Sequence, residues 1–157
     1  MNLNEKVADF SLQTDEDKTA RLSDYAGKPV VLFFYPRANT PGCTIEACGF
    51  RDVFEKIQAA GAVVLGISRD TPKAQAKFRA KYNLPYTLLA DVDEEVCNLF
   101  GVLKEKNMYG KKVWGIERTT FVIGPDQTLL HVFPKVTPAG HAEEVLALIE
   151  KWNQEHR

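Results

Sequence analysis

Two kinds of hydrophobic pattern alternate along the chain, and each predicts one kind of secondary structure. Short apolar runs that are rich in β-branched and aromatic residues, bounded by turn residues, predict strands. These runs lie at residues 30–35, 62–68, 86–90, 119–123 and 128–133. Because the first two are nearly continuous in apolar residues, we expect both of these strands to be fully buried.

Between the predicted strands, apolar residues recur at the spacing of amphipathic helices. Phe50, Val53, Phe54 and Ile57 follow the i, i+3, i+4, i+7 pattern and predict a helix that ends at Gly61. A second helix begins at Thr71, with proline at its first position, and stops at Leu84–Pro85; a third spans Asp93 to Gly101. The last helix carries an apolar stripe of Ala142, Val145, Leu146, Ile149 and Trp152.

The order of these elements indicates the fold class. It gives an N-terminal βαβ unit, a crossover helix and a C-terminal ββα unit, in which residues 124–127 form a hairpin turn. Such an order predicts an α/β protein with a central mixed sheet and helices on both faces, the architecture of a thioredoxin-like fold. A length of 157 residues without internal repeat or linker favours a single domain over residues 1–157.

Composition and charge narrow the classes of function. With 45% hydrophobic and 26% charged residues the chain is expected to be globular, and a net charge of −1 gives no attraction to nucleic acid or to anionic lipid. The N-terminus lacks the apolar core of a secretory signal, and no apolar run is long enough to span a membrane. Three cysteines without a signal peptide are expected to be thiols in a reducing cytoplasm.

One of these cysteines, Cys43, has a position that favours reactivity. Thr40 suits the N-cap of a helix and Pro41 its first position, so Cys43 falls in the first turn. Unpaired backbone N–H groups and the helix dipole favour a thiolate there. A buried and unreactive cysteine is the alternative, and the position alone does not decide between the two.

The spacing of Pro36, Thr40 and Cys43 is P-x-x-x-T-x-x-C, which resembles the active-site motif of the peroxiredoxins. The longer run T-P-G-C-T-x-E-A-C narrows the resemblance to the bacterioferritin comigratory protein or Q-type branch. Residues 7–10, 66–70 and 118–123 also resemble family members, so the similarity extends over nearly the whole chain.

The resemblance implies a role for each residue of the motif. Cys43 would be the peroxidatic thiolate, Thr40 would hold the peroxide through its hydroxyl, and Pro36 would shield the pocket from water. Arg118 would bring its guanidinium to the thiolate, although an arginine before a strand is ordinarily a solvated surface residue. Glu46 would orient Arg118, or would simply be a first-turn glutamate favoured by the helix dipole.

The resemblance also implies an intramolecular disulfide. Cys48 matches the resolving cysteine of one group of Q-type enzymes; the alternative is a core cysteine beside Phe50 and Val53. Cys97 has apolar neighbours at helical spacing and is expected to pack in the core. The implied enzyme is a monomeric, thioredoxin-dependent peroxidase for hydrogen peroxide and organic hydroperoxides, recycled by thioredoxin or a similar dithiol.

No cofactor or metal is expected. The sequence has no C-x-x-C pair, no nucleotide-binding glycine motif, and no ligand spacing around its histidines, which are expected to be ordinary strand, loop and tail residues. A general thiol–disulfide oxidoreductase is one alternative function, but its chemistry normally uses C-x-x-C. A redox-sensing holdase is another. Trp114 and Met108 either line an apolar rim that selects the peroxide or pack in the interior.

Overall fold

The computed structural model describes residues 1–156, except for the side chain of Met108. The elements follow the chain as β1 (Ser11–Thr14), β2 (Thr19–Arg21), β3 (Val30–Phe34), α1 (Pro41–Asp52), α2 (Phe54–Ala59), β4 (Val63–Ser68), α3 (Pro72–Tyr82), β5 (Thr87–Ala90), α4 (Glu95–Phe100), β6 (Leu103–Met108), β7 (Lys111–Ile116), β8 (Thr119–Ile123), β9 (Leu129–Phe133) and α5 (His141–Glu155).

The five strands expected from the sequence form the larger part of a mixed seven-stranded sheet of order β2-β1-β5-β4-β3-β8-β9. β3, β4 and β5 are parallel, whereas β8 and β9 run antiparallel at one side and β1 pairs antiparallel with β5 at the other. β3 lies in the interior of the sheet with all five residues buried, as its continuous apolar run predicts.

Two hydrophobic clusters lie on opposite faces of this sheet. Residues of α1, α2, α3 and α5 pack with alternate β3 residues, such as Val31 and Phe33, on one face. α4 packs on the other face against Leu32 and Phe34. The expected arrangement of a central mixed sheet with helices on both faces is therefore confirmed.

The structure differs from the sequence expectation in two respects. The helix expected to run on to Gly61 is interrupted at Val53, whose backbone angles of φ −107° and ψ 8° separate α1 from α2. In addition, β1, β2 and the separate two-stranded β6–β7 sheet were not predicted. The α3 helix begins after Thr71 as expected, and the Thr71 side chain caps it by accepting a hydrogen bond from the Ala74 amide.

Candidate active site

Cys43 lies where the loop after β3 enters α1. Thr40 is the N-cap of α1, with the extended angles φ −96° and ψ 157°, and Pro41 is its first residue, so Cys43 lies in the first helical turn as expected. Only 1% of Cys43 is exposed, and its side chain belongs to the hydrophobic cluster that α1 shares with the sheet. A sulfur in the first turn lies at the end of the helix where the backbone N–H groups are unpaired and the helix dipole is positive, here in a largely dry environment.

Thr40 does not cap the helix with its side chain. Its hydroxyl instead donates a hydrogen bond to the Arg37 carbonyl at 2.8 Å, back within the same loop. The hydroxyl proton is thereby committed, while the lone pairs of Oγ1 remain able to accept a hydrogen bond from a bound molecule. Pro36 is half-buried in the same loop.

Arg118, which lies 75 positions along the chain from Cys43, brings its guanidinium to the sulfur. Both Nη1 and Nη2 lie 3.5 Å from Cys43 Sγ. Nη1 also donates to Glu46 Oε1 at 2.8 Å. The structure thus brings together Cys43, Glu46 and Arg118, and the expectation that Glu46 orients the arginine agrees with this contact.

The Glu46–Arg118 ion pair is buried, with side-chain exposures of 0% and 15%. Burial raises the pKa of Glu46 to about 7, although the hydrogen bond and the charge of Arg118 act in the opposite direction. Burial lowers the pKa of Arg118, but Glu46 and Cys43 raise it by more, so the guanidinium stays charged. Burial thus favours the neutral form of Glu46, whereas the adjacent charged Arg118 favours its carboxylate.

Gly42 provides the space in which the guanidinium lies. A methyl group built on Gly42 would stand 3.0 Å from Arg118 Nη2 and 3.6 Å from Pro138 Cγ. The guanidinium would have to move by a few tenths of an ångström to accept it. The absence of a side chain at position 42 is thus part of the site.

Asp70, just after β4, is a site residue that the sequence analysis did not identify. Its Oδ2 accepts hydrogen bonds from the Ala38 amide at 2.7 Å and from the Ser68 hydroxyl at 2.6 Å. This contact ties the loop that carries Thr40 to the end of a central strand. The resemblance of residues 66–70 to the family was the one signal that could have indicated it.

The other two cysteines occupy different environments. Cys48 lies on α1, is partly exposed, and is a free thiol, as are Cys43 and Cys97. Cys97 is fully buried in the core cluster of the opposite face, and its amide donates to Asp91 Oδ2 at 2.7 Å. This burial confirms its expected place in the core. Burial, followed by the hydrogen bond and charge of Asp91, raises the pKa of the Cys97 thiol.

The expectation for His141 was wrong. It is not a loop residue but the first residue of α5, with 1% of its surface exposed. Its Nε2 lies 2.7 Å from Thr120 Oγ1 and its Nδ1 lies 2.7 Å from Glu144 Oε1. Burial lowers the pKa of His141, although Glu144 acts in the opposite direction. The lowered pKa favours a neutral imidazole ring, and this ring joins α5 to β8.

Trp114 and Met108 were expected either to line an apolar rim that selects the peroxide or to pack in the interior. Trp114 is 62% exposed on β7, so it does not pack in the interior. The side chain of Met108 lies outside the described part of the structure. Over residues 1–156, the helices are too short or too polar to cross a bilayer.

Comparison with known proteins places this site in context. The model of the AhpC/TSA family matches residues 3–132. A Bcp-type relative from Coxiella burnetii is 51% identical over 146 residues, covering 93% of this chain and 97% of the relative. The peroxiredoxin Bcp of Bacillus subtilis is 40% identical over 154 residues, covering 98% of both chains. Among solved structures, the Xanthomonas campestris bacterioferritin comigratory protein, described for its alkyl peroxide reduction activity, superposes with a TM-score of 0.88 at 40% identity over 92% of each chain.

Proposed function

Since the chain belongs to the AhpC/TSA family, within its Bcp or peroxiredoxin Q branch, and is a thiol peroxidase of thioredoxin-like fold, we propose that Cys43 is the nucleophile that attacks the peroxide. The observation that carries this proposal is the position of Arg118, with two guanidinium nitrogens 3.5 Å from a sulfur in the first turn of a helix. A fixed positive charge at this distance favours the thiolate and stabilises the charge that develops during attack.

In the first step the Cys43 thiolate attacks the nearer oxygen of the peroxide. The S–O bond forms as the O–O bond breaks, and the leaving oxygen takes a proton to become water or an alcohol. Arg118, which lies beside the sulfur, and the N–H groups at the start of α1 stabilise the negative charge that develops on the leaving oxygen. The Oγ1 lone pairs of Thr40 are available to accept the peroxide O–H, because the proton of that hydroxyl is used on Arg37. The role of Pro36 in this step is to exclude water, which strengthens each of these interactions.

In the second step the Cys43 sulfenic acid condenses with the Cys48 thiol to a disulfide, with loss of water. An external dithiol, such as thioredoxin, then reduces the disulfide by thiol exchange. Cys97 is an unsuitable resolving thiol because it lies on the other face of the sheet. An intramolecular pair needs no second subunit, so we infer that the enzyme acts as a monomer. Its three free thiols fit a reducing compartment such as the cytoplasm.

The experiment that tests this function follows peroxide consumption at catalytic enzyme concentration with thioredoxin, its reductase and NADPH. We expect turnover with hydrogen peroxide and with organic hydroperoxides. When the reduced enzyme is treated with one equivalent of peroxide and no reductant, its mass should fall by about 2 Da as two thiols become a disulfide. A protein that acts only as a redox sensor or holdase would consume peroxide once per chain and then stop.

The packing of Arg118 against Gly42 gives a more specific prediction. Gly42→Ala should slow oxidation of Cys43 about tenfold, because the new methyl group displaces the guanidinium from the sulfur. Stopped-flow measurement of Cys43 oxidation under single-turnover conditions checks this.

Gly49→Ala is the matched control for this variant, since it also adds a methyl group to α1. That methyl group would lie at an ordinary 3.5 Å from the Ala142 Cβ. We expect its oxidation rate to stay within about twofold of wild type. Equal rates in all three proteins would show that the position of Arg118 does not limit the attack.

A further inference from the structure

The hydroxyl of Tyr86 makes a buried contact with the helix that carries both active-site cysteines. Its oxygen donates a hydrogen bond to the Ala47 carbonyl of α1 at 2.6 Å. Tyr86 directly precedes β5, and 3% of it is exposed. The Ala47 carbonyl thus accepts this bond in addition to the one that a regular helix supplies from residue 51.

The tyrosine ring is fixed by its neighbours, so the hydroxyl has a defined direction. Phe33 packs against it edge to face, with ring centroids 5.8 Å apart, and Phe54 lies 6.0 Å away. Burial, and then the negative charge that Tyr35, Cys48 and Glu46 carry when ionised, raises the pKa of Tyr86 well above its ordinary value. The phenol therefore remains a proton donor throughout the neutral range.

The acceptor of this bond belongs to the same rigid unit as the Cys48 amide. The Ala47 carbonyl and the Cys48 N–H form one planar peptide. If Cys48 turns toward Cys43, the backbone angles between the two cysteines change and this peptide plane changes its direction. The Tyr86 hydroxyl cannot follow, because its ring is held in the core, so the bond exists only while the middle of α1 is helical.

We propose that Tyr86 is a positioning residue for the resolving step, which holds Cys48 in the helix and thereby sets how fast it reaches the oxidised Cys43. The inference rests on the proposed function, since it requires Cys48 to be the resolving thiol. Two reactions compete for the Cys43 sulfenic acid. Condensation with the Cys48 thiol gives a disulfide and water, whereas a second peroxide oxidises the sulfur to a sulfinic acid and is itself reduced to water or an alcohol. By delaying the first reaction, Tyr86 exposes the enzyme to the second.

Tyr86→Phe tests this proposal, because it removes only the hydroxyl and keeps the ring in place. Because the variant loses one hydrogen bond of ordinary net strength, disulfide formation should become about three to ten times faster. The hydrogen peroxide concentration that converts half of the enzyme to sulfinic acid in one cycle should rise by the same factor. Rapid quenching with mass spectrometry measures both, by the loss of about 2 Da for the disulfide and the gain of about 32 Da for the sulfinic acid.

Two controls connect the effect to the resolving step. Tyr25→Phe removes a half-buried hydroxyl that forms no hydrogen bond within residues 1–156, and should leave both measurements unchanged. In a Cys48→Ser background, Tyr86→Phe should no longer alter sulfinic acid formation, since no disulfide can compete there. A merely structural defect would instead change the rate of Cys43 oxidation in both backgrounds.

The outcomes separate this inference from the function on which it rests. If wild type forms no Cys43–Cys48 disulfide, the proposed resolving role of Cys48 is wrong. If wild type forms the disulfide but Tyr86→Phe changes its rate by less than about twofold, or slows it, the role of Tyr86 is overturned while the proposed function stands.

Discussion

Cys43→Ser should reduce peroxidase turnover to below about 1% of wild type, since a serine hydroxyl is far less acidic than a thiol and supplies almost no anion at neutral pH. The surroundings of the position make this a clean substitution. Cys43 is small and buried, and serine has a similar shape, so the ion pair of Arg118 with Glu46 should remain formed. The measurement is steady-state peroxide consumption with the thioredoxin system, together with circular dichroism to show that the variant is folded.

Cys97→Ser is the control for this loss of activity. It exchanges another buried cysteine for serine, in the cluster on the opposite face of the sheet. Its stability should fall modestly, while the turnover of the folded protein stays close to wild type. Retention of a tenth of the activity in Cys43→Ser would assign the nucleophile to another residue. Loss of activity in folded Cys97→Ser would show that Cys97 takes part in the reaction as a resolving thiol rather than only packing in the core.

The local part of the site could be predicted from the sequence because its residues are close together in the chain. Thr40, Pro41 and Cys43 are a helix start, and the physical chemistry of a helix start needs no knowledge of distant residues. Arg118 is different, because nothing in its local pattern separates it from a surface arginine. Its contact with Cys43 spans 75 positions, and only the family resemblance indicated it.

The hairpin of β6 and β7 was not predicted because its strands lack the hydrophobic pattern of a buried sheet. Within the described residues 1–156, β6 and β7 pair only with each other, and the first four residues of β7 are exposed. Neither strand therefore needs the alternating apolar face that marks a strand of the main sheet. The turn between them did carry a signal in the sequence, which is Gly110. Tyr109 and Gly110 both have positive φ, at 53° and 78°. A two-residue hairpin turn requires such angles, and glycine adopts them readily.

Buried polar residues were missed or left ambiguous for a related reason. Glu46 and His141 read as ordinary helix and loop residues, since most charged residues are exposed. What allows their burial is a partner elsewhere in the chain: Arg118 for Glu46, and Thr120 for His141. A sequence pattern gives the cost of burying such a group, whereas only the fold gives the partner that offsets it.

The position of both Cys43 and Cys48 within α1 has a consequence for the proposed disulfide. In a regular helix, two residues five positions apart have Cα atoms about 8.6 Å apart, after a rise of ~7.5 Å and a rotation of ~500°. A disulfide requires Cα atoms within ~7 Å. The two cysteines therefore cannot bond while α1, which runs from Pro41 to Asp52, stays intact. In the proposed mechanism α1 must therefore open before the sulfenic acid of Cys43 can meet Cys48.

Oxidation of the wild-type enzyme to the disulfide should accordingly raise amide hydrogen exchange across residues 40–52 by roughly 100-fold, as helical hydrogen bonds give way to a locally unfolded segment. Residues 141–155 of α5 should stay protected, because the buried face of that helix, including Val145 and Ile149, packs in the core. Cys48→Ser treated with one equivalent of peroxide is the matched control: it can form the sulfenic acid but not the disulfide, and its α1 should keep the protection of the reduced enzyme. Equal protection of residues 40–52 in reduced and oxidised wild type would contradict the mechanism and would make Cys48 a bystander, leaving the sulfenic acid of Cys43 to be reduced directly by an external thiol.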